Sequence, residues 1–163
     1  MGSSAESELR QRAAQSMKIN ILAVGRLKEK YLTDAVAEYV KRLRPFSTVE
    51  IKEVPEQKSV DDEGEKLSAL IPRDSWVCVL DVGGTELTSE EFASRLEGLM
   101  VEGKSQWAFI IGGAFGISDR LRAESDFRLS LSRMTFTHQM TRVILVEQIY
   151  RAFKIIRGEK YHW

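Results

Sequence analysis

A single cysteine, Cys78, stands among 163 residues, so no internal disulfide can form and the chain suits a reducing compartment such as the cytoplasm. It lies in the apolar run Trp76-Val77-Cys78-Val79-Leu80 with no basic neighbour, which predicts a packed thiol rather than a nucleophile. With that one cysteine and only two histidines, His138 and His162, no metal-ligand spacing is present and no metal is expected. No apolar run reaches the roughly 18 residues that a membrane span requires, so no membrane is expected as a partner. Residues 1–16 are polar and small, without the apolar stretch of a secretory signal, and read as a leader or disordered extension. Net charge is also missing, with 24 basic against 24 acidic side chains.

That balance argues against nucleic acid only until its distribution is read. Met17 to Phe46 holds seven basic residues (Lys18, Arg26, Lys28, Lys30, Lys41, Arg42, Arg44) against three acids, and Met134 onward holds five against two. Ser47 to Glu65 carries seven acids and two lysines. Segregated charge allows a basic face on a neutral molecule, although solvated helix faces would give the same pattern.

With 43% hydrophobic residues, residues 17–163 read as one domain. Lys18–Val24, Thr48–Val54, Trp76 to Leu80, Gln106–Ile111 and Phe127 to Leu131 have the composition of strands, with Trp76 to Leu80 ending at Asp81 and a Gly83-Gly84 turn. Between them, Tyr31 to Leu43 repeats apolar residues at helical spacing and stops at Pro45, and Thr88 with Glu91 forms a capping box ahead of Phe92, Leu96, Leu99 and Met100. Pro55 to Glu63 reads as a charged loop before a short helix from Glu65 to Ile71, and Ser118 caps another short helix. Alternation of this kind predicts an α/β fold, a mainly parallel sheet flanked by helices.

The last third is the chemically suggestive part. Trp107 to Ser118 reads WAFIIGGAFGIS, a strand that empties into a glycine loop where backbone can approach a ligand closely. It is neither the dinucleotide fingerprint nor a P-loop, and a plain tight turn is the rival reading. The final helix, about His138 to Arg157, is apolar beyond one face through Val143, Ile144, Leu145 and Val146. Such a helix needs cover on two sides, and a second copy of the chain is the expected second cover.

The segments ILAVGRLKEKY, LDVGG, FIIGGAFGIS, LSLSRMTFTHQMTRVILVEQIYRAFKI and RGEKYH, in that order, resemble the ribosomal RNA large subunit methyltransferase H family of the SPOUT class, from Met17 to the end. The resemblance implies a SPOUT-type fold with a C-terminal trefoil knot, a homodimer, S-adenosyl-L-methionine as methyl donor, and transfer to N3 of a pseudouridine in 23S rRNA of the assembled ribosome. A SPOUT enzyme acting on another RNA such as tRNA, or a ribosome-binding module without catalysis, are the rival functions.

Matched residue by residue, the family's donor-binding positions fall on Leu80, on the glycine loop (Gly112, Gly113, Gly116), and on Leu131, Ser132, Arg133, Met134, Thr135 and Phe136. Leu80, Leu131, Met134 and Phe136 suit a flat apolar slot for adenine, whereas Ser132 and Thr135 also suit a turn. The resemblance sets Tyr161 and His162 beside the methyl donor, either their own or that of the other subunit, where either side chain can orient the base or take its N3 proton. Arg142 is expected to clamp an RNA phosphate or the donor carboxylate, with an ion pair to a partner's Glu147 as the rival. His138, four residues before it, reads as a neutral helix-start histidine bonding a nearby loop or as a proton acceptor. Thr137 stands where the family often has proline and can cap the helix.

Overall fold

The computed structural model describes residues 4–6, 8, 9 and 17–161. Residues 4–6, 8 and 9 are exposed and helical. The expectation for the rest of the 1–16 extension, and every expectation for His162, lies outside the described residues.

Five strands, β1 (Lys18–Val24), β2 (Thr48–Val54), β3 (Trp76–Glu86), β4 (Gln106–Ile111) and β5 (Phe127–Ser130), form one sheet in the order β2-β1-β4-β3-β5. Every neighbouring pair is parallel. The order follows from the side chains. QWAFII of β4 is apolar at five successive positions and lies at the centre, where both faces are covered. TVEIKEV of β2 alternates polar with apolar and lies at an edge.

Strand alternation divides the core in two. Ile19, Ile21, Cys78, Trp107 and Phe109 face one layer of helices, α1 (Lys30–Leu43), α3 (Ser89–Val101) and α5 (His138–Ile156). Leu22, Val24, Val77, Val79 and Ile110 face the other, α2 (Val60–Ala69) and α4 (Asp119–Glu124). In the first layer α5 packs against both α1 and α3. Phe153 anchors it, stacked on Phe46 and Trp107 with centroids 5.4 and 6.1 Å away. Cys78 is fully buried, and desolvation pushes its thiol pKa far up, as a packing role requires.

Two boundaries differ from the sequence reading. The helix expected from Glu65 begins at Val60, because Ser59 accepts from the Asp62 amide at 3.1 Å and Asp61, Asp62 and Glu63 complement the helix N-terminus. An acidic run that looks like a loop is here a well-capped first turn. Gly64 lies inside that helix, where a Cβ would stand 2.2 Å from Ser118 Oγ, so its absence lets α2 press against the start of α4. Likewise β3 does not end at Asp81. Leu80 and Thr85 both pair with Leu129, and residues 81–84 loop out between them as a bulge. Gly84 permits it, since a Cβ there would meet the Arg128 carbonyl oxygen at 2.6 Å.

Candidate functional site

Chain entering and leaving the C-terminal ends of β3, β4 and β5 builds a cleft of about 590 Å³, measured out to its open mouth. In parallel α/β sheets this edge is where ligands gather, because strand-to-helix loops diverge there. Three segments form the walls. The β3 bulge supplies Leu80, Asp81 and Val82; the loop after β4 supplies Gly112, Gly113 and Gly116; the loop after β5 supplies Leu131, Ser132, Met134 and Phe136. Leu129 and Ile111 close the floor, and His138 and Thr141 from the start of α5 complete the far side.

The glycine loop is a tight turn whose ends pair, Gly116 N donating to Gly113 O at 3.1 Å. Its closure depends on Gly112, where a Cβ would lie 2.2 Å from the Gly116 carbonyl oxygen, a backbone atom that cannot swing away. Gly116 itself takes φ +79°, a left-handed conformation open to glycine. The wall on this side is therefore bare main chain. Opposite it, Ser132 Oγ accepts from the Met134 amide at 3.0 Å and holds the second loop in a turn. Thr137 Oγ1 accepts from the Met140 amide at 3.2 Å, so threonine caps α5.

Asp81 is a site residue that the sequence did not single out. Its Oδ2 accepts from Arg122 Nε at 2.9 Å and faces Arg128 Nη1 at 3.5 Å, while its Oδ1 accepts from the Gly83 amide at 3.2 Å. Burial disfavours the carboxylate, but Arg122, the Gly83 amide and the Arg128 charge outweigh it and hold the Asp81 pKa below its ordinary value. One ionised side chain thus fastens the β3 bulge to α4 and β5. An aspartate before Gly-Gly is a common turn pattern, so nothing local distinguishes it; Arg122 and Arg128 meet it only after folding.

Of the expected donor-binding residues, Leu80, Gly112, Gly113, Gly116, Leu131, Ser132, Met134 and Phe136 line the cleft. Arg133 and Thr135 are exposed and are not among its lining residues. Arg142 requires a correction. It is wholly buried, its Nη2 donating to the carbonyls of Val24 at 3.0 Å and Gly25 at 2.6 Å and its Nη1 pairing with Glu53. It does not line the cleft, and three of its five N–H donors are spent inside the protein while its Nε is buried. Glu147, its alternative partner, instead accepts from Arg151 one turn along the same helix at 2.9 Å. A sequence position four residues after His138 shows helix phase, not which strand end waits beneath it.

His138 lines the cleft from the first turn of α5, its Nε2 3.4 Å from where a Cβ on Gly25 would stand. Tyr161 lies at the other end of that helix. Its ring packs edge-on to Tyr150 with centroids 5.6 Å apart and beneath the Arg151 guanidinium at 3.9 Å. Twelve helical residues separate His138 from Tyr150, roughly 18 Å along the axis. Within one chain, Tyr161 and the cleft are apart. Burial, with hydrogen bonds to Tyr39 and Glu147, pushes the Tyr161 phenol well above its ordinary pKa.

Among the described residues no group of His, Cys, Asp or Glu could hold a metal ion, and no helix is long and apolar enough to cross a membrane.

The chain that builds this fold and cleft matches a family model described as a predicted SPOUT methyltransferase across residues 17–162. The overall architecture is shared with a probable methylase family protein from Haemophilus influenzae at TM-score 0.52 and 14% identity, covering 92% of this chain and 71% of that one. Relatives much nearer in sequence narrow the class. Ribosomal RNA large subunit methyltransferase H of Ruminiclostridium cellulolyticum is 48% identical, and that of Halothermothrix orenii 47% identical, each over 158 residues spanning 90% of this chain and 99% of the relative. The chain belongs to the ribosomal RNA large subunit methyltransferase H family of SPOUT methyltransferases.

Proposed function

We propose that this methyltransferase takes its methyl group from S-adenosyl-L-methionine and delivers it to N3 of a pseudouridine in 23S rRNA of the assembled ribosome, working as a knotted homodimer in the cytoplasm. The observation that carries the reading is the composition of the cleft. One wall is glycine backbone whose closure a Cβ at Gly112 would break, and the other carries Leu80, Leu131, Met134 and Phe136. Main-chain amides and carbonyls beside an apolar slot fit an adenosyl group, whose flat ring needs both. Bound there, the donor supplies a methyl already activated by its sulfonium.

What the chain itself contributes is alignment and proton handling. Pseudouridine N3–H is a weak acid and must be lost as the nitrogen attacks, so a proton acceptor near the cleft is required. With its phenol pKa raised, Tyr161 is a phenol throughout the neutral range; it suits the orienting role, and His162 the acceptor role. Both would come from a second copy. Two observations support that arrangement: the distance within one chain from Tyr161 to the cleft, and Val143, Ile144, Ile155 and Ile156 of α5 remaining only half-buried. The C-terminal segments threaded through a trefoil knot belong to the same reading. Proximity and orientation then account for much of the rate.

The test is nucleoside mass spectrometry of ribosomes incubated with protein and isotopically labelled donor. Label in N3-methylpseudouridine of 23S rRNA is the expected result. Label in another RNA or another nucleoside overturns the substrate assignment, and binding to ribosomes without label overturns catalysis.

A further inference from the structure

Eight large apolar side chains are well exposed among the described residues, and five of them, Val82, Phe115, Met134, Phe136 and Met140, belong to the segments that build the cleft. Scattered exposed apolar residues need no explanation, whereas a cluster around one opening does. Val82, Met134 and Phe136 line the cleft and are accounted for by the donor. Phe115 is not. It sits at the tip of the turn closed by Gly113 and Gly116, outside the cleft lining and 60% exposed. A two-residue tip held by paired glycines gives a phenyl ring a fixed base and no neighbour to hide behind.

Exposed cations stand near the same opening, where the carboxylate Asp81 is already held by Arg122 and Arg128 and Glu56 Oε1 lies 3.6 Å from where a Cβ on Gly25 would stand. Arg133 is exposed between the cleft residues Ser132 and Met134. Arg26 and Lys28 are exposed just after Gly25, the residue against which the cleft residue His138 rests. None of the three enters an ion pair among the described residues. Exposed aromatic surface flanked by unpaired cations is the pattern that holds single-stranded nucleic acid, with bases stacked on rings and phosphates neutralised alongside. A protein partner or a second copy would bury an aromatic ring equally well but gives no reason for unpaired cations at the same opening.

We propose that Phe115 is a stacking platform for an unpaired RNA base beside the methylated nucleotide, with Arg133, Arg26 and Lys28 receiving the adjoining phosphates. The inference rests on the methyltransferase reading above and adds to it the contact that selects unpaired over helical RNA. A base has to leave its helix before a group within a cleft can reach it, and a ring at the rim offers the displaced neighbour a replacement stack.

Assembled ribosomes serve as the probe. Phe115→Ala and Phe115→Leu should raise KM for ribosomes about tenfold, the size of one lost base–aromatic stack, and Phe115→Trp should restore it. Donor affinity measured by calorimetry should be unchanged in all three. Benzoylphenylalanine placed at position 115 and irradiated on the ribosome should crosslink to rRNA. Unchanged KM in Phe115→Ala, full activity in Phe115→Leu, or a crosslink to a second copy or to a ribosomal protein overturns the platform. In those cases methylation by the wild-type protein persists, so the functional reading survives; if the wild-type protein transfers no methyl to ribosomes, that reading fails first.

Discussion

Arg142 donates through Nη2 to the Val24 carbonyl at 3.0 Å, tying the first turns of α5 to the last residue of β1. A strand end and a helix start 118 positions apart in sequence are thus joined by a side chain with no exposed surface. Arg142→Met leaves the Val24 and Gly25 carbonyls without that donor and Glu53 without its cation. Equilibrium unfolding in urea should show a loss of about 3 kcal/mol. Arg142→Lys, which keeps the charge but not the fork, should recover only part of it. A loss of activity with no loss of stability would return Arg142 to the phosphate-clamp role.

Gly112 sets the glycine wall of the cleft. Even alanine there sets a Cβ against the Gly116 carbonyl, so the turn must open. Gly112→Ala should weaken donor binding more than tenfold by calorimetry, about 1.4 kcal/mol or more, while leaving a cooperative unfolding transition. Gly98, exposed in α3 with nothing within 4 Å of where a Cβ would stand, is the control. Gly98→Ala should change donor binding not at all and raise stability by up to about 1 kcal/mol.

The separation of Tyr161 from the cleft makes a test by mixing. On the proposed reading, His162→Ala removes the tail's part of the site and Gly112→Ala the cleft's part. If tail and cleft come from different subunits, unfolding and refolding the two inactive proteins together yields mixed dimers with one intact site. Activity should return to about a quarter of wild type, because half the dimers are mixed and each has one of two sites. No recovery means tail and cleft act within one chain.

Asp81 predicts a pH dependence. Its folded pKa lies below the ordinary value, so its stabilising contribution is present above the unfolded pKa, about 3.9, and disappears as pH falls through the folded one. Asp81→Asn should be less stable than wild type at pH 7, by about 1 kcal/mol given partners that are partly exposed. The gap should narrow once the pH drops below about 4. A constant gap across that range would mean that shape, not charge, fastens the bulge.

Legibility in the sequence followed the range of the physics. β1, β4 and α1 are plain because an apolar run or a helical stripe is written in consecutive residues. The Thr88–Glu91 capping box forms as expected, with Thr88 Oγ1 accepting from the Glu91 amide at 3.1 Å and Glu91 accepting from the Thr88 amide at 3.0 Å. Leu80, Gly112 and Leu131 share the cleft, although apolar strand ends and glycines are too common to mark one without a resemblance. Hidden altogether are relations that exist only between distant segments, such as Asp81 with Arg122 and Arg128, or Arg142 beneath Val24. Arg133 and Thr135 stand outside the cleft lining although their neighbours Ser132, Met134 and Phe136 form it, and adjacency in a loop that bends at Ser132–Met134 does not decide which side chains face one opening.

The strand order has a consequence for how the molecule is made. β2-β1 and β3-β5 are joined only by β4, fourth of the five strands to leave a ribosome. Until Ile111 emerges, the nascent chain holds the β1-β2 pair and β3 as a lone strand, each with an edge that β4 has yet to cover. Insertion of β4 between β1 and β3 after both have been synthesised, with β5 added last, makes this a late-closing fold whose vulnerable moment is near the end of translation. Cells making it in quantity should need chaperones most at that moment.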